Sequence, residues 1–347
     1  MSILIAMSGG VDSSVSAYLC SLGHDVCRGA TMLLWGESCV NADEAAGVCG
    51  ALGIEHEVLD CRKVFAERVI KNFVKVYESG GTPNPCVECN RFLKFGEFLR
   101  HAESCRVERI ATGHYARIEH SPSGRYLLRK GKDISRDQSY VLYVLTQEQL
   151  SRTEFPLGGM TKPEVRDLAK SLGLINANRQ DSQDICFVPD GDYAGFIEAY
   201  TGKTYPPGKF VDTAGKVLGT HRGIIHYTAG QRRGLGVAAK SRLYVCSLDA
   251  EDGTITLASE GEERLYSRGV VVRGVNLTAF DEVPENFRGG VKIRYRQREV
   301  ACVVNQSGSD ELVIEFAEKQ KCPAIGQSAV IYDGEYVIGG GTIVGTI

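Results

Sequence analysis

No stretch of this sequence approaches the roughly 20 apolar residues that a membrane-spanning helix requires. Nor does a basic segment precede an apolar one at its start. Met1-Ser2-Ile3-Leu4-Ile5-Ala6-Met7 runs straight into glycines and reads as a buried first strand rather than a secretory signal. The chain is therefore expected in the cytoplasm, with no membrane partner. An excess of charge of either sign is also missing, with 40 Lys and Arg against 43 Asp and Glu, a net charge of −3. Any nucleic-acid contact must then come from local basic patches, not from the field of the whole molecule. No internal repeat and no low-complexity segment stands out.

What the sequence does hold in number is cysteine, with 12 in 347 residues. In a reducing compartment most cysteines fill cores and a minority react or bind metal. The length exceeds what one compact core organises and implies two or three domains. Over the first ~115 residues strand and helix patterns alternate, as expected of a parallel sheet covered on both faces. Ile3–Met7, Val26–Trp35, Glu57–Leu59 and Arg109–Thr112 read as strands, and 14–22, 43–52, 64–77 and 91–101 as helices. Ligands of such sheets sit beyond the carboxyl ends of the strands. After about Asp190 turn signals such as Pro206-Pro207-Gly208, Asp252-Gly253 and Asp333-Gly334 separate short alternating runs. The expected fold class is α/β plus β. It divides into a parallel-sheet domain over 1–195, a small central β-rich domain over 196–264, and a C-terminal β-barrel over 265–347.

The most informative stretch is Ala6-Met7-Ser8-Gly9-Gly10-Val11-Asp12-Ser13-Ser14. Glycines let backbone N–H groups approach an anion, and a helix start adds unpaired donors and a positive dipole end. Ser8, Ser13 and Ser14 could add hydroxyl donors. Asp12 could help hold magnesium or could cap the helix. No lysine follows as in the G-x-x-x-x-G-K-[ST] loop, so that NTPase class is excluded. A second motif, Thr82-Pro83-Asn84-Pro85-Cys86-Val87-Glu88-Cys89-Asn90, delivers a C-x-x-C to a helix start, which favours thiolate over thiol. A third cysteine, Cys186, stands in Asp181-Ser182-Gln183-Asp184-Ile185-Cys186-Phe187. Structural zinc would want four ligands, and no second C-x-x-C or paired-histidine motif is present. Cys20, Cys27, Cys49, Cys61, Cys105, Cys246 and Cys302 read as packing residues. Cys39 and Cys322 fall in loops with no readable role.

The nine-residue string resembles the PP-loop of ATP pyrophosphatases, which transfer AMP to a carbonyl oxygen and so turn it into a leaving group. Together with the cysteines, the chain resembles the tRNA-specific 2-thiouridylase family over essentially its whole length. The matching strings include Ala111-Thr112-Gly113-His114-Tyr115-Ala116-Arg117, Asp137-Gln138-Ser139-Tyr140, His226 to Gly236, Arg294-Tyr295-Arg296 and Gly326 to Val330. The resemblance implies an adenine nucleotide alpha hydrolase-like first domain. It implies that ATP, accompanied by Mg²⁺, binds at Ala6, Met7, Ser8, Gly9, Gly10, Val11, Asp12, Ser13, Met32 and Gly113. Cys186 would carry an incoming sulfur and Cys89 would release it, through a transient Cys89–Cys186 disulfide. Asn84, Pro85 and Cys86 would surround the wobble uridine of the tRNA anticodon loop. His114, Arg136, Asp137, Gln138, Arg294, Tyr295 and Gln327 would contact the RNA. The sulfur donor would be a cysteine desulfurase, a relay protein or sulfide. Many family members carry Asp where this chain has Cys86. With Cys89 and Cys186 that cysteine forms a three-thiol set of the kind that holds a 4Fe–4S cluster with one open iron, an alternative to the persulfide relay.

Val291-Lys292-Ile293-Arg294-Tyr295-Arg296-Gln297-Arg298 alternates strictly, which on a strand would put four basic side chains on one face for phosphate contact. Gln231-Arg232-Arg233 and Arg129-Lys130-Gly131-Lys132 offer further patches. Two rival readings remain at this stage, a PP-loop synthetase using a nitrogen nucleophile and an RNA-binding or iron–sulfur protein without turnover.

Overall fold

The computed structural model describes residues 1–36, 40–179 and 185–347. Cys39 and the 181–184 part of the third cysteine motif lie outside the described residues. None of the described helices is long and apolar enough to cross a membrane.

The N-terminal sheet comprises β1 (Ser2–Ala6), β2 (Val26–Leu33), β3 (Glu55–Asp60), β4 (Arg109–Ala111) and β7 (Thr153–Glu154), in the order β3-β2-β1-β4-β7 and parallel throughout. Ile3, Leu4 and Ile5 are wholly buried, as a central strand covered on both faces requires. Helix α1 (Val11–Gly23) follows β1, and α2 (Val40–Ala51) follows β2. The chain first adds strands on one side of β1 and then crosses to β4 on the other. The topological switch point, and with it the ligand crevice, lies between the carboxyl ends of β1 and β4.

Helices run continuously over 62–78 and 85–104, and each contains a π-helical stretch, Ala66–Ile70 and Asn90–Glu97. The second starts six residues earlier than its apolar periodicity suggested, because Asn84 caps it and Pro85 fits its first turn. Asn84 Oδ1 accepts from the N–H of Val87.

Beyond the helix Tyr193–Thr201, β8 (Gly208–Val211), β9 (Val217–His221), β10 (Leu243–Asp249) and β11 (Thr254–Ser259) form a small sheet. Six strands then close into an antiparallel barrel: β12 (Tyr266–Leu277), β13 (Phe287–Lys292), β14 (Val300–Gly308), β15 (Glu311–Lys321), β16 (Ser328–Asp333) and β17 (Tyr336–Thr346). β12 pairs with both β15 and β17. Val270, Val272, Leu312, Ile314, Ile331 and Ile343 fill the barrel.

One part of the topology was not anticipated. A hairpin of β5 (Ala116–His120) and β6 (Tyr126–Lys130) leaves the α/β region and joins the barrel sheet, with Arg129 opposite Tyr336. Leu128, Tyr140 and Tyr143 share one buried cluster with Val330, Tyr332 and Val337. The barrel is thereby packed against the helix that carries the C-x-x-C.

Candidate active site

The loop after β1 is held from below. Gly9 takes a φ of 71°, which a side chain would disfavour. Its carbonyl accepts from Asn176 Nδ2 at 2.8 Å and Arg179 Nη1 at 3.2 Å. Gly10 is the N-cap of α1 and has no side-chain partner for the first-turn N–H groups. Those donors stand just past the carboxyl end of β1, where an anion site is expected. The hydroxyls of Ser13 and Ser14 do not join them. Ser13 and Ser14 are buried and both donate to Gly10 O, at 2.9 and 3.0 Å, so they brace the loop instead. Asp12 neither caps the helix nor stands ready for a metal. Lys162 Nζ lies 2.8 Å from each of its oxygens, and the Tyr115 hydroxyl donates to it at 2.8 Å. Gly113, just past β4, approaches so closely that a Cβ there would lie 3.0 Å from the Asp12 carbonyl carbon and 3.1 Å from Ser13 N. Ala6 ends β1 and Met32 lies near the end of β2, so the expected nucleotide residues share one side of the sheet.

Cys86 and Cys89 lie in the first turns of helix 85–104. Cys86 and Cys186 open to solvent, whereas Cys89 is buried. The three interact electrostatically: Cys89 feels both others, and Cys186 feels Cys86. The helix start does not leave these thiols ionised. Desolvation pushes all three up, Cys89 to about 12: Cys89 is buried outright, and the sulfurs of Cys86 and Cys186, although their residues reach the surface, are crowded by the protein around them. The one group that pulls all three back down is the Lys94 ammonium. Among the described residues the three sulfurs do not all fall within 4.8 Å of one another, so as placed they do not converge on one small ion.

The residues expected to contact RNA fall into two groups. Arg136, Arg294 and Tyr295 are exposed. Tyr295 senses the charges of Cys86, Arg136 and Arg296, which places it at the mouth of the thiol cleft. The others act inside the protein. Asp137 is buried and accepts from the N–H groups of Gly131 and Ser139 and from the Ser139 hydroxyl. Gln138 accepts from Tyr115 N–H. Gln327 donates to the carbonyls of Thr82 and Pro83, at 3.1 and 2.9 Å, and ties the Asn84–Cys86 turn to the barrel. His114 is buried behind Lys94, so RNA contact from it would have to pass through the lysine.

The alternating basic run is corrected by the backbone. β13 stops at Lys292, and a turn closed by Gln297 N–H to Arg294 O follows. Lys292 points inward, with Nζ 3.7 Å from both Asp137 and Glu299. Arg294 donates to Cys322 O at 2.8 Å. Only Arg294, Arg296 and Arg298 of the four are exposed. The patch over 129–132 is neutralised in place: Arg129 pairs with Glu119 and Glu335, Lys130 with Glu299, and Lys132 with Glu164. Arg232 and Arg233 remain exposed.

Family models match in three consecutive pieces: a "tRNA methyl transferase HUP domain" over 1–190, a "tRNA methyl transferase PRC-barrel domain" over 194–259, and an "Aminomethyltransferase beta-barrel domain" over 267–343. The "tRNA-specific 2-thiouridylase MnmA" of Lachnoclostridium phytofermentans is 42% identical over 99% of each chain. Its namesake in Acetivibrio thermocellus is 44% identical over 98% of each. The chain belongs to the tRNA-specific 2-thiouridylase family.

As a member of that family it has a site that sequence reasoning only partly found. Lys162, Asn176 and Arg179 carry the phosphate loop from 150 or more residues away. Lys94 carried no signal, since a lone lysine in an amphipathic helix reads as surface. Of the cysteines read as packing, Cys20, Cys49, Cys61 and Cys302 are buried, whereas Cys27, Cys105 and Cys246 are half-buried. Cys105 lies near His101 and Glu57, the one group among the described residues with metal-ligand spacing, and none of the three belongs to the Cys86–Cys89–Cys186 set. Cys322 is buried and holds Arg294 through its carbonyl.

Proposed function

We propose that this 2-thiouridylase-family chain adenylates O2 of the wobble uridine in tRNA with ATP and replaces that oxygen by sulfur. What carries the reading is the placement of a phosphate cradle and a set of three cysteines around one crevice. A nucleobase carbonyl cannot expel oxide, so it must first become an adenylate, and only then is C2 open to sulfur. The word "methyl" in the matched domains' descriptions does not fit this site, because methyl transfer has no need of a cradle for the phosphates of ATP. A synthetase using nitrogen would have no need of three thiols at its crevice. Mg²⁺ enters with ATP through the phosphate oxygens, because Asp12 is already neutralised by Lys162. The nucleotide sits at Ala6–Ser13, Met32 and Gly113. Asn84, Pro85 and Cys86 surround the uridine, which must leave the anticodon stack to reach them. Residues 1–195 perform the chemistry, while 196–264 and 265–347 grip the RNA. As a tRNA enzyme the protein works in the cytoplasm.

Two routes for sulfur fit the three thiols. In a relay, a donor protein such as a cysteine desulfurase loads Cys186 as a persulfide. Cys89 then attacks the Cys186 sulfur, forms the disulfide and expels hydrosulfide. In the second route Cys86, Cys89 and Cys186 would hold a 4Fe–4S cluster. Three separated sulfurs suit a cluster better than a single ion, and when bound it would supply an iron open to sulfide. Anaerobic purification should yield stoichiometric iron and acid-labile sulfide, lost together in Cys86→Ala. Full thiolation by iron-free protein would eliminate the cluster.

The RNA grip has its own test. Arg296→Ala with Arg298→Ala should weaken tRNA binding and make the slope of log Kd against log salt shallower by about 1 to 2, since each lost phosphate contact removes about one unit. Filter binding across a salt series would measure it, and an unchanged slope would remove this turn from the RNA footprint.

A further inference from the structure

Lys94 has no part in the steps above, yet the fold spends an unusual backbone on placing it. It lies five residues beyond Cys89. On an α-helix five residues turn through about 500°, which would leave the two side chains about 140° apart. The segment Asn90–Glu97 is instead π-helical, ending in a bond from Phe98 N–H to Leu93 O, five residues back. There each residue turns through less than about 100°, so a five-residue step overshoots one turn by less than it does on an α-helix, and the widened helix brings Lys94 round towards the face of Cys89. Lys94 and the C-x-x-C thus stand on one continuous helix, 85–104.

On its other side Nζ lies 3.4 Å from His114 Nε2, and His114 Nδ1 lies 2.7 Å from Thr112 Oγ1. An ammonium has only hydrogens to give. Nε2 must therefore accept, and Nδ1 must carry the proton and donate it to the threonine hydroxyl. Burial between Phe95 and Phe155, with Lys94 alongside, holds the imidazole neutral. A neutral ring fixes the ammonium without cancelling its charge, which a carboxylate would have done. Among the described residues no carboxylate pairs with Lys94.

We infer that Lys94, aligned by the π-turn and held by His114, forms an anion subsite that receives the transferring sulfur as hydrosulfide. The inference rests on the thiolation reading and names the substrate that its cleft binds. Hydrosulfide attacks C2 of the adenylated uridine. The C–S bond forms as the C–O bond breaks, AMP departs with the oxygen and the electron pair, and the sulfur-bound proton is lost to solvent. A fixed cation beside the attacking anion offsets the cost of taking that anion out of water. His114 is a positioning residue, acting through Lys94.

The test uses the full chain with tRNA, ATP and sodium sulfide as the only sulfur source. Lys94→Met should raise the sulfide concentration for half-maximal thiolation at least tenfold, while tRNA-dependent pyrophosphate release continues. Lys94→Arg should stay within about threefold of wild type, as expected if charge is what matters. His114→Leu should move the sulfide dependence in the same direction as Lys94→Met and leave the KM for ATP in place. Should Lys94→Met not fold, Lys94→Gln replaces it with the same expected shift. An unchanged sulfide dependence in the neutral variants overturns the subsite and leaves the thiolation reading intact. So does a wild type that thiolates from a protein persulfide but never from sulfide. A wild type that thiolates from neither source overturns the functional reading itself.

Discussion

Cys186→Ser is expected to lower thiolation at least a thousandfold while pyrophosphate release in the presence of tRNA and ATP goes on. The two half-reactions use different parts of the site. On the proposed reading adenylation depends on the loop after β1, on Gly113 and on the uridine pocket, none of which Cys186 supports through any described hydrogen bond. Sulfur delivery depends on the thiol in either route, since a serine hydroxyl can neither carry a sulfane sulfur nor bind iron as a thiolate does. A thousandfold loss is about 4 kcal/mol of barrier. Because Cys186 is exposed, the substitution leaves no cavity and the protein should keep its stability. Quantifying pyrophosphate and 2-thiouridine in the same reaction separates the outcomes. If both fall together, Cys186 serves the activation step; if neither falls, Cys186 does not deliver the sulfur.

Gly113→Val is expected to abolish both half-reactions, with ATP binding weakened at least a hundredfold. Even a Cβ at this position would meet backbone atoms of Asp12 and Ser13 at 3.0 and 3.1 Å. Backbone at the start of a helix cannot move aside as a flexible side chain would. The branched side chain would therefore push β4 away from α1 or fill the space proposed for the triphosphate. Either response spoils the alignment of the first-turn N–H groups that makes the loop an anion site. Equilibrium dialysis with ATP would show the loss directly. Near-normal ATP affinity would mean that the nucleotide does not pass between β1 and β4.

The parts of this site that could be read in the sequence are those in which one contiguous string does the chemistry. Ser8-Gly9-Gly10 and Cys86-Val87-Glu88-Cys89 announce themselves because turn, helix start and reactive group are neighbours in the chain. The parallel sheet was legible for the same reason, since its strands recur as short apolar runs between helical periods. Contacts made across the fold were not legible. Lys162 neutralises Asp12 from 150 residues away, and Gln327 grips Pro83 from 244 away. Residue type alone misled where the backbone chose the direction: Ser13 and Ser14 turn their hydroxyls onto Gly10 O rather than towards a ligand. Alternation misled at 291–298, because a period of two survives in a sequence whether or not the strand continues. The Gln297 side chain, accepting from Ile293 N–H, helps to stop the strand there. The placement of Lys94 depends on a helix type that no propensity announces.

The most direct test of the account is a count of products. Purified protein, unmodified tRNA, radiolabelled ATP and a sulfide source are incubated, and the nucleosides are digested and resolved by mass spectrometry. One 2-thiouridine at the wobble position for each AMP and each pyrophosphate released is the expected result. ATP cleaved to ADP, or uridine left unthiolated while AMP accumulates, would contradict it.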